Sequence, residues 1–286
     1  MKLALIFKTG TCPGATLNPH ERIGGESQLV GDVFIPGEEK PIAHHLRRFF
    51  CELLAEPGQS VTVQDDEAHH LVNVTRVRVG EEVILFDGNG REARAQLIGS
   101  KRREAVLKIL SLEEVNREPA RELSLACALP RATRMDWLVE KCCELGVKRL
   151  TPMVTQRSVV DPIARQKNHM RRWKRTTIEA AKQSGRTRLT EITSVLPFGA
   201  VFEQCGSDAA RLIASPEPDA LPFSDIVSQL EPPQPVFALI GPEGGFTPEE
   251  VDLARSAECQ VVSLGPRILR VETAAIALAV ILLMSK

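Results

Sequence analysis

The feature that most restricts the fold is a unit that occurs twice in the last third of the chain. Its first copy, PVFALIGPEGGFTPEEVDLA from Pro235 to Ala254, joins an apolar run, a Gly-Pro-Glu-Gly-Gly turn and a helix signal. The run is short and rich in branched and aromatic residues, which predicts a buried strand. Thr247 predicts the helix cap, Pro248 suits the first turn, and Thr247 with Glu250 has the spacing of a capping box. Glu249 and Glu250 also favour the positive end of a helix. The second copy, from Cys259 to Leu278, runs from the strand CQVVSLG through Gly-Pro to a helix starting near Glu272. Strands separated by helices predict a mostly parallel α/β sheet with helices on both faces. The adjacent glycines Gly244 and Gly245 let the backbone take positive φ and approach something bulky, although an ordinary tight turn uses the same residues.

Upstream segments extend this pattern. LSLACAL, VKRLTPMV and AARLIAS read as further strands, with helices over about Met135 to Leu145 and Asn168 to Ser184. Before about Val115 the texture changes. SVTVQ, EEVILFDGNGREARAQLIG and EAVLKILSLEEV alternate apolar and polar residues, and DGNG is a strong hairpin signal. The expected organisation is an extension over residues 1–45, with one short strand near Asp32 to Ile35, a small β-barrel over 46–116, and an α/β domain over 121–286. NREPARE around Pro119 reads as the linker.

The chain has 286 residues, 43% hydrophobic and 26% charged, with a formal net charge of −1. That balance describes an ordinary globular protein, so any polyanion-binding surface must be local. The sequence has no P-loop, no G-x-G-x-x-G, no H-E-x-x-H and no G-x-S-x-G, which removes support for four common chemistries. Seven scattered cysteines, without a C-x-x-C pair, predict neither a zinc site nor a disulfide framework, and suggest a reducing, cytoplasmic setting. The pairs His44-His45 and His69-His70 lack metal spacing, and no metal is expected. The start MKLALIF lacks a convincing signal-peptide core. Thr273 to Met284 is almost wholly apolar but too short to span a bilayer, so it reads as a buried helix or one covered by a partner subunit. From Arg165 to Arg188 nine Lys/Arg residues stand against one acidic residue, Glu179. On a helix Arg171, Arg175 and Lys182 fall near one face, a solvated surface or a polyanion contact, and Trp173 offers a ring on which a base can stack.

LIGPEGGFTPEEVDLA, SLGPRILRVETAAIAL and IEAAKQSGRTRLTEI together resemble the RsmE family of small-subunit ribosomal RNA uridine-N3 methyltransferases, of the SPOUT superfamily. EKCCELGVKRLTPMVTQRSVV, RRFF and HHLVNVTRVRVGEEVILFDGNG add to the likeness, which covers about residues 47–286. The first 45 residues depart from the family pattern, and Thr75 stands where leucine is common, a change that touches packing only. The resemblance implies a SPOUT-type parallel sheet with a carboxyl-terminal trefoil knot, preceded by a PUA-like β-barrel. It also implies a homodimer, S-adenosyl-L-methionine as cofactor, and as partner the small-subunit ribosomal RNA in an assembled or assembling 30S subunit. No membrane partner is expected.

By the same resemblance the GPEGG and LGPRILR loops grip the cofactor. Ile240, Gly241, Glu243, Gly244 and Gly245 belong to the first loop; Leu264, Gly265, Ile268, Leu269, Thr273 and Ala274 belong to the second, and Ala214 and Ser215 form a third edge. Methylating uridine N3 requires its proton to leave. Arg186 is the choice to stabilise the resulting anion, so replacing it should suppress transfer and spare cofactor binding. Gln183 and Ser184 are assigned to orient the base. Glu243, Glu272 and a bound water remain as proton acceptors, and Glu272 equally suits a helix cap. RNA contacts are expected from Arg76, Arg91, Lys101, Arg157, Arg172 and Arg175, with Arg78, Arg94, Arg102 and Arg103 as further cations, while Arg157 and Lys141 suit either RNA phosphate or active-site contact. Two other functions share these features: another SPOUT methylase acting on transfer RNA ribose or another base, and a non-catalytic RNA-binding ribosome-assembly protein.

Overall fold

The computed structural model describes residues 46–130, 132–158, 166–231 and 233–284. The extension over residues 1–45, with its expected strand and the His44-His45 pair, lies outside them. The first layer contains β1 (Arg48–Phe50), β2 (Ser60–Gln64), helix α1 (Asp65–His69) continued by a π turn over His70–Val74, β3 (Glu82–Phe86), β4 (Arg91–Lys101) and β5 (Glu104–Glu114). Its strand order is β1-β3-β4-β5-β2; β1 pairs parallel with β3 and the other pairs are antiparallel. In β2 only Val61 and Val63 are buried, the alternation of a sheet with one face on a core. DGNG makes the β3–β4 turn, as expected. The sheet curls into a half-barrel, and its edge strands β1 and β2 do not pair with each other.

The helical turns over Asp65–Val74 were expected as part of a run of β segments. Three acidic residues at the helix start and buried Ala68 and Leu71, three residues apart, favour helix there. Thr75 donates its hydroxyl to the carbonyl of Leu71 at 2.8 Å and closes the turn.

The second layer follows as β6 (Leu123–Ala128), α2 (Ala132–Leu145), β7 (Arg149–Val154), α3 (Gln166–Ser184), β8 (Glu191–Ile192), β9 (Leu196–Pro197) and a 3-10 helix over Phe198–Gln204. It continues as β10 (Ala210–Ala214), β11 (Leu221–Pro222), α4 (Phe223–Gln229), β12 (Val236–Ile240), α5 (Pro248–Ser256), β13 (Gln260–Ser263) and α6 (Val271–Met284). All described pairings are parallel, in the order β11-β13-β10-β12-β6-β7-β8, with β9 also on β7. The late strand β12 therefore lies between β6 and β10, in the middle of the sheet.

Alternation along β12 shows why both faces need cover. Val236, Ala238 and Ile240 join the core with α2, α4 and α6, whereas Phe237 and Leu239 join a second core with α5 and the 3-10 helix. Trp173, expected to be available for stacking, is only 2% exposed and belongs to the first core. Its position on α3 faces the sheet, so packing decides its role.

The segment expected as a linker is bound on both sides. Glu92 accepts from Arg48 at 2.6 Å and from Arg117 at 2.9 Å, and these arginines also donate to the backbone carbonyls of Arg186 and Gly185. Gly90 donates to the carbonyl of Thr187, and Leu189 to that of Gly88, so the DGNG turn docks on the QSGRTRL segment. Burial alone would raise the Glu92 pKa, but the hydrogen bonds from Arg117 and Arg48 outweigh it and leave it lowered. A lowered folded-state pKa stabilises the fold above the unfolded glutamate range, and this stability is lost as pH falls through the folded value. Thermal unfolding should therefore show a loss of stability on acidification below about pH 4, and Glu92→Gln should flatten it. An unchanged acid limb in that variant would overturn the assignment.

Candidate functional site

Three chain segments leave the carboxyl ends of β10, β12 and β13, three strands whose ends meet at one rim of the parallel sheet. Ligands of open parallel sheets bind in the crevice beyond those ends. Here the segments enclose a cleft of about 430 Å³, within the size range of sites for drug-sized ligands. Ala214 and Ser215 form one edge, Ile240, Gly241, Glu243, Gly244 and Gly245 the second, and Leu264, Gly265, Ile268 and Leu269 the third. Ala274 of α6 closes the back. Of the residues expected here from sequence, only Thr273 is absent from the lining; it is exposed on the first turn of α6.

The floor is shaped by glycine where a side chain would not fit. A Cβ on Gly241 would lie 2.9 Å from Cε2 of Phe246, whose ring is buried against Phe198. Gly265 has φ +107, which a residue with a Cβ rarely adopts, and its amide donates to the Ser263 hydroxyl. The capping box of α5 forms as expected: Thr247 Oγ1 accepts from the Glu250 amide, and Glu250 accepts from the Thr247 amide at 2.9 Å. Glu250 also accepts from the amide of Gln156. Arg157 does not project as a free cation for RNA. It donates to the carbonyls of Gly244 at 2.8 Å and Phe246 at 3.1 Å, and so braces the Gly-rich loop.

The structure does not bring Arg186, Gln183 or Ser184 to this cleft. Arg186 is 5% exposed and its donors are committed. Nε and Nη2 reach Glu118, Nη1 reaches the Cys143 carbonyl and Thr190 Oγ1, and Nη2 also reaches the Val147 carbonyl. Burial alone would lower the Arg186 pKa, but Glu118 outweighs it and the group stays charged. The arginine is thus a buried tie at the seam between the two sheets, with no donor left for a substrate anion. Ser184 spends its hydroxyl on the Ala180 carbonyl, and Gln183 is exposed at the end of α3.

Sequence reading gave no role to two cations here: Arg267, which lines the cleft and is exposed, and Arg134, which reaches its wall through Glu243. Arg134, on the first turn of α2, donates Nη1 to Glu243 Oε1 at 3.3 Å and places Nε 3.6 Å from Glu272 Oε1. Its position just past the carboxyl end of β6 was a usable signal, because that rim is where parallel sheets bind ligands. Glu217, missed as well, lines the cleft and accepts from Ser215 Oγ at 3.1 Å.

Expected RNA contacts divide by their partners. Arg91 is paired with Asp87 at 2.8 Å, Arg94 with Glu82, and Arg172 with Asp136 at 2.9 Å. Lys141 is held between Glu140 and Glu144, and Arg103 is 3.9 Å from Asp65. Arg76, Lys101 and Arg175 are exposed and unpaired among the described residues, as are Arg171 and Lys174. The last two, with Arg175, line a cleft of about 840 Å³ between α3 and the half-barrel, which also includes Phe50 and His70. Lys182 is not part of that free row. Its ammonium lies 2.7 Å from Glu67, 3.0 Å from Glu179 and 3.4 Å from His70 Nδ1, at the centre of a carboxylate–imidazole cluster that resembles a metal site in outline. An internal cation already satisfies that cluster. His69 contacts Asn73, and His70 stacks edge-on against Phe49.

Among the described residues no helix is long and apolar enough to cross a membrane. The six described cysteines are unpaired thiols, and burial pushes the Cys127 pKa up to about 12.

Comparison with known proteins places this geometry. Residues 116–283 match the RNA methyltransferase domain family, and residues 63–110 match the RNA methyltransferase PUA domain. The chain is 31% identical to ribosomal RNA small subunit methyltransferase E of Bacillus subtilis, over 80% of this chain and 93% of that protein. It is 32% identical to the protein of that name from Synechocystis, over 84% and 78% of the two chains. The crystal structure of ribosomal RNA small subunit methyltransferase E from Neisseria gonorrhoeae bound to S-adenosyl methionine superposes with a TM-score of 0.74, at 32% identity, over 82% of this chain and 95% of that one. The fold class is the expected one, a SPOUT-type α/β parallel sheet preceded by a PUA-like β layer. With a methyltransferase domain across more than half its length and relatives of one name along most of it, the chain belongs to the ribosomal RNA small subunit methyltransferase E family.

Proposed function

We propose that the protein transfers a methyl group from S-adenosylmethionine to N3 of a uridine in small-subunit ribosomal RNA, in the cytoplasm and on an assembled or assembling 30S subunit. The observation that carries this reading is the rim cleft, with a glycine floor at Gly241 and apolar walls at Ile240, Leu264 and Leu269. Such a lining fits an adenosyl group held by backbone and shape. The group supplies an already activated methyl, so the chain's task is alignment, exclusion of water and removal of the N3 proton. Ile268, 83% exposed on the cleft's outer edge, is free to cover a bound ligand. RNA is proposed to run along α3, with phosphates on Arg171, Lys174 and Arg175 and further contacts at Arg76 and Lys101.

The reading is tested by methyl transfer from labelled S-adenosylmethionine to unmodified small subunits, followed by nucleoside mass spectrometry. A 3-methyluridine product is expected, and label in another nucleoside would discard the substrate assignment.

A homodimer is part of the same proposal. One side of α6 is buried through Ala275, Leu278, Ala279 and Leu282, yet Val280 is 37% and Met284 69% exposed. Trp137, on the adjoining helix α2, is exposed as well. Apolar residues on the outer side of a terminal helix are covered most simply by a second copy. Val280→Glu combined with Met284→Glu should give a folded monomer by light scattering. A dimer of unchanged affinity would exclude this face.

A further inference from the structure

Among the described residues, Glu272 Oε2 is buried without a hydrogen-bond partner, and the Glu272 side chain is only 9% exposed. A buried carboxylate oxygen left unpaired is costly and calls for an explanation such as strain, an ordered water or ion, or a catalytic role. Of the five buried side-chain atoms without a partner among the described residues, only this one belongs to a residue paired with the Arg134 that reaches the cleft wall. Its other oxygen faces Arg134, which also reaches Glu243 on the cleft wall. Arg134 is one-third exposed and held by two contacts of 3.3 and 3.6 Å, both longer than a tight charge-assisted pair. It is a partly exposed cation tied to the cleft wall through Glu243, in contrast to Arg186.

We infer that Arg134 and Glu272 form the catalytic pair, Arg134 binding the uridine carbonyl oxygens and Glu272 Oε2 accepting the N3 proton. This rests on the uridine-N3 reading above. The N3–H bond breaks with its proton passing to Glu272, and the N3 electron pair forms the bond to the methyl carbon. The sulfur–methyl bond breaks with its electron pair returning to sulfur, which leaves as a neutral thioether. Negative charge that develops on the two uridine oxygens meets the guanidinium, which presents a planar fork of donors and stays charged throughout. Glu243 holds the fork near the cleft until the base arrives.

The test compares wild type, Arg134→Gln and Arg134→Lys on RNA carrying uridine or 5-fluorouridine at the target position. Loss of a donor to a developing anion should lower kcat about 10²- to 10³-fold, with cofactor affinity by calorimetry within about threefold of wild type. Fluorine makes N3–H more acidic, so the deficit of Arg134→Gln should shrink at least about tenfold on that RNA. Lysine should restore part of the rate. Without cofactor, wild type should bind the fluorinated RNA more tightly as the pH rises through its N3 ionisation, and Arg134→Gln should lose that preference. A deficit equal on both RNAs, or one explained by lost cofactor affinity, would overturn the assignment. Wild type that makes no 3-methyluridine would instead overturn the reading beneath it.

Discussion

Arg186→Ala is expected to lose stability of about 3–5 kcal/mol, the cost of leaving one partner of a buried ion pair uncompensated. The substitution strands Glu118 and removes the donors to the Cys143 and Val147 carbonyls and to Thr190. For a domain of this size that corresponds to a fall in Tm of roughly 6–20 °C, read by calorimetry. Cofactor binding and transfer should decline together, in step with the folded fraction. Replacing both partners, Arg186→Met with Glu118→Met, should recover much of the lost stability, because apolar substitutes carry no desolvation cost. A variant Arg186→Ala that melts like wild type but transfers no methyl would return the residue to the chemistry.

The second large effect concerns the cleft floor. Gly241→Val puts a branched side chain where Cβ alone meets the Phe246 ring at 2.9 to 3.1 Å. Phe246 cannot retreat, since it packs on Phe198 at 5.4 Å between ring centres and is itself buried. Overpacking of this kind costs about 1–3 kcal/mol. Because the strain falls on the wall of the cleft, cofactor affinity by calorimetry should weaken by about 10- to 100-fold, with the circular dichroism spectrum preserved. Phe246→Leu in the same chain makes room and should restore part of the affinity. Full affinity in Gly241→Val alone would place the ligand elsewhere.

Much of this architecture follows from local sequence. The α5 cap needs only Thr247, Pro248 and Glu250 in register, and the β3–β4 turn needs only the DGNG tetrapeptide. Helix α3 runs from Gln166 to Ser184 against an expected span from Asn168, because helical periodicity and the basic face are both local. The cleft-lining residues were named from the family resemblance, and the strand reading accounts for why they converge. Turns after strands of a parallel sheet lie at one rim, so naming the strands names the loops.

Roles that depend on what lies across the chain were a different matter. Trp173, Lys182 and Arg186 belong to a stretch rich in cations, where charge alone suggests RNA, and Arg157 was named for its charge alone. Tertiary packing turned Arg157 toward two loop carbonyls, buried Trp173, and enclosed Lys182 and Arg186 among carboxylates. Arg134 shows the converse, since its partners Glu243 and Glu272 are more than one hundred residues away in sequence. Periodicity, caps and turn residues act through neighbours along the chain, and they determined the strands, the helices and the loops that shape the cleft. Whether a given arginine is a tie, a brace or a free charge depends on the acceptors that folding brings within about 3 Å of it, and only the tertiary structure decided that.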